Sequence, residues 1–222
     1  MGIISIEKAN DLFWLGRYSQ RVYSTIKKYY NGFDEMLDGN IMAYHEYCDA
    51  MNIPDIYGSK ENFVKQYPYD TENPDSIISN LYRAYDNAMV MRDYISSESL
   101  AYVQLAIFDI KSAKGSDAPL ITLQDTVDHL LAFWGCIDEN VDDAETRNLI
   151  KLGKMVELLD IELRLELDKA AVKRTFTRMR SYMGRTDIIR DESAYYALAY
   201  EITREDIHFK KALDDLMHVF KI

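Results

Sequence analysis

Cysteine, proline and glycine are all scarce: the 222 residues hold 2 Cys, 4 Pro and 9 Gly. Cys48 and Cys136 fit neither a C-x-x-C motif nor a metal-ligand spacing. That excludes a disulfide framework and points to reduced cytoplasmic thiols with packing roles. With so few turn formers, long stretches are free to be helical. Long apolar runs are missing too. The most apolar window, Leu130 to Ile137, is far too short to span a bilayer, and no charged segment leads into an apolar one as a secretory signal would. Positive charge is in deficit, with 26 Lys and Arg against 37 Asp and Glu and a formal net charge of -11. This argues against nucleic acid or an anionic membrane as a general partner, since both need clustered cations. There is no P-loop, dinucleotide fingerprint or nucleophile triad, so no cofactor is expected and any ATP chemistry would fall to a partner. Glu205-x-x-His208 is the only Glu-x-x-His spacing. A di-metal carboxylate bundle needs two such copies and further glutamates, so no metal is expected.

What the sequence does have is helical periodicity, which predicts a first helix from about Glu7 to Asp38. Leu15, Tyr18, Val22, Ile26, Tyr29, Phe33 and Leu37 form one apolar stripe on the helical period. Phe13 and Trp14 fall off that stripe beside Gly16, so the helix is apolar nearly all round here and is expected to be buried on more than one side. Arg17, Gln20 and Arg21 follow on the second face. Cations on a partly buried face need anionic partners, because an unpaired buried charge is costly. A later stretch, Leu149 to Leu158, aligns with Leu12 to Arg21. Its leucines, Gly153 and Lys154 coincide with those of the first, and Glu157 falls where Gln20 does. Two readings are open: an internal duplication, or two leucine-rich helices that cross closely at a small residue.

Further helices are expected from about Ile41 to Met51, near Lys60 to Gln66, after Asn73-Pro74-Asp75 with Asn73 as N-cap, and from Glu98 to Lys114 behind Ser96 or Ser97. Thr122-x-x-Asp125 resembles a capping box opening a helix to about Asn140. Asp142 or Asp143 caps the longest run, which divides near Asp168 to Lys173. Gly184 to Asp191 is a turn region, and two helical patterns follow as far as Phe220. The 17 tyrosines suit core edges, with the hydroxyl reaching water or a partner. The reading is all-α: a multi-helix bundle of about seven to nine helices in one domain over residues 1–222.

Several residues could carry chemistry. Arg92 ends one helix and Glu98 opens the next, an arrangement that helix-dipole complementarity alone explains. Asp128 and His129 share a helix with Phe133 and Trp134, where a hydrogen-bonded core histidine is a better reading than a catalytic base. Lys169, Lys173, Arg174, Arg178, Arg180, Arg185 and Arg190 form a basic patch, which is more often a solvated face than a docking surface.

Asn10 to Arg21, Asn73 to Ile77, Asn87 to Glu98 and Leu152 to Glu157 resemble, in order, four landmarks of the bacterial Alpha-E domain, an all-helical family with a recurrent Glu-Arg pair. The resemblance covers about Ile4 to Leu167, leaving 168–222 as C-terminal helices. It implies a setting rather than a reaction. Such domains occur fused to, or encoded beside, a circularly permuted ATP-grasp ligase-like protein, often with a transglutaminase-like protein. The implied system is cytoplasmic and makes or modifies peptides. Gln20 stands where the first pair has its glutamate and Leu158 where the second has its arginine, so Arg21 and Glu157 are expected to complete one pair between them. Met89 and Leu100 also depart from the pattern. The expected polar interior gathers Arg17, Arg21, Arg92, Glu98 and Glu157, with Trp14, Gln20, Lys154, Asp128 and His129 as secondary candidates. Arginine forks suit a carboxylate or phosphate, so two functions are carried: a substrate-binding subunit, or a docking module whose Arg/Glu cluster is a salt-bridge network.

Overall fold

The computed structural model describes residues 4–37, 43–116 and 119–221. Among these residues ten α-helices follow one another: α1 (Ile6–Leu37), α2 (Ala43–Met51), α3 (Lys60–Gln66), α4 (Ile77–Val90), α5 (Ser97–Ala113), α6 (Pro119–Asn140), α7 (Ala144–Arg164), α8 (Lys169–Met183), α9 (Glu192–Thr203) and α10 (Phe209–Val219). A 3-10 turn, Tyr67–Tyr69, links α3 to the segment before α4. No strand forms among the described residues. Among those residues the only extended pairing is an isolated bridge between Arg190 and Phe220.

Helix α1 is the axle. It packs along α7 on one side and α4 on the other, with α5 paired to α6, α8 laid on α7, and α9 paired to α10. Two apolar cores result. Leu12, Leu15, Val22 and Ile26 of α1 join Leu81, Ala88, Val103, Phe133 and Ile150 in the larger one. Phe13 turns the other way, into a second core with Leu152, Met155, Leu159, Val172, Met179, Leu198 and Leu216. This is why α1 is apolar all round near Gly16: it serves both cores at once. The side chains of Tyr29, Phe33 and Leu37 lie outside the described residues.

Short polar caps set the helix starts. Ser76, Ser96, Asp143, Asp168 and Asp191 each accept a hydrogen bond from a first-turn amide, a device worth about 1 kcal/mol per helix. Two expected starts are corrected. Asn73 does not cap α4; its Oδ1 accepts from the Asp75 amide and its Nδ2 donates to the Tyr57 hydroxyl, three residues before Ser76 takes the capping role. Thr122 lies inside α6, which already runs from Pro119. No helix among the described residues is long and apolar enough to cross a membrane.

Candidate functional site: the glycine crossing and its two flanks

Glycine decides how α1 and α7 meet. A Cβ placed on Gly16 would lie 2.0 Å from the Ile150 carbonyl oxygen, and one on Gly153 would lie 1.9 Å from that of Phe13. Lys154 N is the next neighbour of Gly16, and Arg17 N that of Gly153. Each glycine therefore meets the residue three before and the residue one after the other glycine. The crossing is a local two-fold in which 13, 16 and 17 correspond to 150, 153 and 154. This is the register in which Leu12 to Arg21 aligns with Leu149 to Leu158. Only a residue without a side chain permits backbones this close.

One turn further along, the two flanks of this two-fold differ. On the first flank Glu157 is fully buried. Its Oε2 accepts from Arg17 Nε at 2.8 Å and its Oε1 from Arg21 Nε at 2.5 Å. Burial alone would raise the Glu157 pKa. The adjacent Arg21 and Arg17 outweigh that and hold the carboxyl below its ordinary value. Burial would likewise lower the Arg21 pKa, but Glu157, with Asp160 nearby, keeps it raised. The expected Arg21–Glu157 pair is thus formed, with Arg17 as a third member. Arg17 also lies over Trp14, with 4.7 Å from its guanidinium carbon to the ring centroid.

The wider gathering expected around this pair is corrected. Arg92 lies beyond the end of α4 with its side chain 64% exposed and Asp93 as its ion-pair neighbour. Glu98, in the first turn of α5, accepts from Asn140 on the surface. Both stand where helix termini favour them, away from Glu157.

On the second flank the counterparts of Glu157, Arg21 and Arg17 are Gln20, Leu158 and Lys154. No carboxylate pairs with Lys154 among the described residues. Its ammonium sits over the Trp134 ring, 3.9 Å from the centroid. Gln20 donates to Ser24 Oγ at 2.7 Å and leaves Oε1 buried without a partner. Both residues line a cavity of about 320 Å³, whose wall also holds Leu131, Leu158, Leu167, Glu162 and Arg178. Glu162 accepts from Thr175 at 3.0 Å through Oε1, while its Oε2 is buried and unpartnered. Burial raises the Glu162 pKa. Burial, with Arg178 next in size, lowers that of Lys154 to about 8.

The remaining candidates lie elsewhere. His129 Nδ1 contacts Asp109 Oδ2, not the preceding Asp128, which accepts from Gln124. Glu205 and His208 fall between α9 and α10 rather than on a helix, and no group of residues among those described could hold a metal. Sequence reasoning missed Asp109 and Glu162. Each is a carboxylate set into an apolar helix face, between Ala106 and Ile110 in α5 and between Ile161 and Leu163 in α7. That interruption was the available signal. In the basic patch, Lys169 pairs with Asp206 and Arg190 with Glu192, whereas Arg178 lines the cavity.

A ten-helix bundle whose first and seventh helices cross through paired glycines, with an interhelical Arg–Glu cluster beside the crossing, defines a helical domain built on a Glu-Arg segment. The family model of Alpha-E, a predicted alpha-helical domain with a conserved ER motif, matches residues 7–191, and the chain belongs to that family. The match runs past Leu167, through α8 and the turn after it. No curated protein and no solved structure matches the chain.

Proposed function

We propose that this protein is the substrate-binding helical component of an ATP-grasp-associated system that makes or modifies peptides, and that its binding surface is the Lys154 cavity. One observation carries the reading. On a chain of net charge -11, the cavity collects Lys27, Lys28, Lys154 and Arg178 against the single acid Glu162. Such a surplus favours an anionic guest. The ATP-grasp setting rests on the family resemblance, and the lack of a nucleotide-binding loop is consistent with ATP being used by the partner.

The alternative role, a brace, belongs to the other flank. Glu157 is saturated by Arg17 and Arg21 and has no exposed surface, so this cluster fixes the register of α1 on α7. The partner reading is tested by size-exclusion chromatography of the intact chain with an ATP-grasp ligase-like protein encoded beside it. Co-elution and a changed ATPase rate of the partner are expected. Separate elution with an unaltered rate would refute it.

A further inference from the structure

We infer that the Lys154 cavity binds an organic carboxylate carried on an apolar body, of the class of an N-acylated amino acid or the C-terminal end of a short peptide. This deepens the binding reading above and rests on it. The local two-fold sets the two flanks in matching frames. On the first flank, the cation that follows one glycine, Arg17, is met by a carboxylate from the opposite helix, Glu157. On the second flank the cation that follows the other glycine is Lys154, and the residue in the place of Glu157 is Gln20. An amide there supplies no negative charge, so the negative charge that the first flank sets against its cation is missing on the second. A guest carboxylate would supply it.

The surroundings select the rest of the guest. Leu131, Leu158 and Leu167 give the cavity an apolar wall, and Leu131 is 49% exposed. A volume of about 320 Å³ sits at the small end of ligand pockets and suits one amino-acid unit rather than a nucleotide. Gln20 Oε1 and Glu162 Oε2 are acceptors without donors, so an amide N–H on the guest has buried partners waiting. The apolar wall favours a carboxylate on an apolar body over inorganic phosphate, which has no apolar surface to bury against it.

The electrostatics around Lys154 fix a pH signature. Arg178 of α8, Lys27 and Lys28 of α1, and Lys151 of its own helix are like charges. Asp138 of α6 attracts but is engaged by Lys151, and Glu162 shares the cavity wall. The free ammonium loses its proton near pH 8. A bound carboxylate favours the charged form, so binding near that pH takes up a proton. Above it the affinity should fall by about tenfold per pH unit.

The test is isothermal titration calorimetry on the intact chain with N-acetyl-leucine, with N-acetyl-leucinamide, which lacks the carboxylate, and with inorganic phosphate. The acid is expected to bind and the other two are not. K154M should weaken acid binding by about tenfold or more. Q20E should do the same by installing the missing carboxylate beside Lys154, and it should not lower the melting temperature. Q20E also gives up the hydrogen bond that Gln20 donates to Ser24 Oγ, which the Ser24 hydroxyl can reverse by donating to the new carboxylate. Equal binding of acid and amide, tighter binding of phosphate, no binding of the acid, or Q20E that binds like wild type would each overturn the assignment. Failure here with the partner complex intact removes only the ligand class. Failure of the complex with acid binding intact removes only the partner.

Discussion

Replacing Gly16 by alanine should destabilise the protein, against the ordinary preference of helices. In an unconstrained helix the change gains about 0.5–1 kcal/mol, because glycine has more backbone entropy to lose. Here the new Cβ would sit 2.0 Å from the Ile150 carbonyl oxygen, where ordinary contact begins at 3.4 Å. The obstacle is backbone on both helices, so no rotamer change relieves it. Helices α1 and α7 must part by roughly an ångström or more, and overpacking of this kind costs about 1–3 kcal/mol. Parting them also stretches the Arg17 and Arg21 bonds to Glu157, now 2.8 and 2.5 Å. Glu157 has no water to fall back on, and breaking a buried pair outright costs about 3–5 kcal/mol. Partial loss of that pair added to the overpacking, less the gain in propensity, leaves about 2–4 kcal/mol. That is a large share of a typical domain stability of about 5–15 kcal/mol. Urea unfolding followed by far-UV circular dichroism measures it. Gly153→Ala should behave alike, and the double variant should cost less than the sum, since helices parted for one methyl admit the second. Gly135 is the internal control: it lies mid-α6 with nothing within 4 Å of a built Cβ, so Gly135→Ala should stabilise. If Gly16→Ala stabilises as Gly135→Ala does, the crossing does not carry the weight assigned to it.

Arg17→Ala and Arg21→Ala should each cost about 1.5–3 kcal/mol, a charged hydrogen bond apiece. The double variant should cost more than their sum, because only then is the Glu157 carboxylate left bare; simple additivity in denaturant titrations would contradict the shared-acceptor geometry. Because the folded Glu157 pKa is lowered, its contribution is present above the ordinary carboxylate range and fades as pH falls below it. The melting temperature should therefore drop on the acid side, and a flat profile below pH 4.5, the ordinary value, would refute this. At the other limb, burial pushes Tyr47, Tyr57, Tyr69 and Cys48 up to about 12. Folded-state values raised in this way contribute stability that is complete below the unfolded values of 9.0 for Cys and 10.0 for Tyr and is lost above them. Alkaline titration should show delayed tyrosinate absorbance and then cooperative unfolding; tyrosines ionising at their ordinary value in the folded chain would contradict it.

The architecture was legible in the sequence because long helices declare themselves by period. The outlines of α1, α3 and α5 and the division between α7 and α8 follow from apolar spacing and from Ser and Asp caps. The starts of α4 and α6 did not, for a definite reason. Asn73 and Thr122 are residues that cap helices and also serve in turns or inside helices, and only the Tyr57 hydroxyl or the earlier Pro119 start decides between those uses. The Arg21–Glu157 pair could be foreseen because the resemblance implies a Glu-Arg pair in each segment, and each segment keeps one member of it, the arginine in the first and the glutamate in the second. Arg17 was a member of the same cluster, but Arg92 and Glu98 were not. Their spacing already fits a helix junction, and α4 packs on α1 and α5 on α6. His129 is hydrogen-bonded as expected but half-buried rather than in the core, with its side chain 29% exposed, and its partner Asp109 is twenty residues away on another helix, beyond the reach of local pattern.

The departures from the Glu-Arg pattern gain meaning only once the two-fold is visible. In sequence, Gln20 for glutamate and Leu158 for arginine look like losses that weaken a cluster. In space they fall on the same flank. The first flank keeps Arg17, Arg21 and Glu157; the carboxylate is fully buried, and the outer sides of Arg17 and Arg21 reach two small cavities of about 130 and 120 Å³. The second holds Gln20 and Leu158 at the places of Glu157 and Arg21, and it opens into the larger cavity of about 320 Å³. Had Gln20 been glutamate, Lys154 would have an acid facing it and a second brace would be expected there. Had Leu158 been arginine, its longer, charged side chain would stand where the cavity wall is apolar. Gln20 and Leu158 together leave on this flank a cationic pocket with an apolar side rather than a second brace. The tight glycine crossing holds both flanks to the same backbone frame. Restoring the acid at position 20 is therefore the most direct way to ask whether that asymmetry is functional. Q20E should raise stability at neutral pH by pairing Lys154, and should do so only at the expense of carboxylate binding.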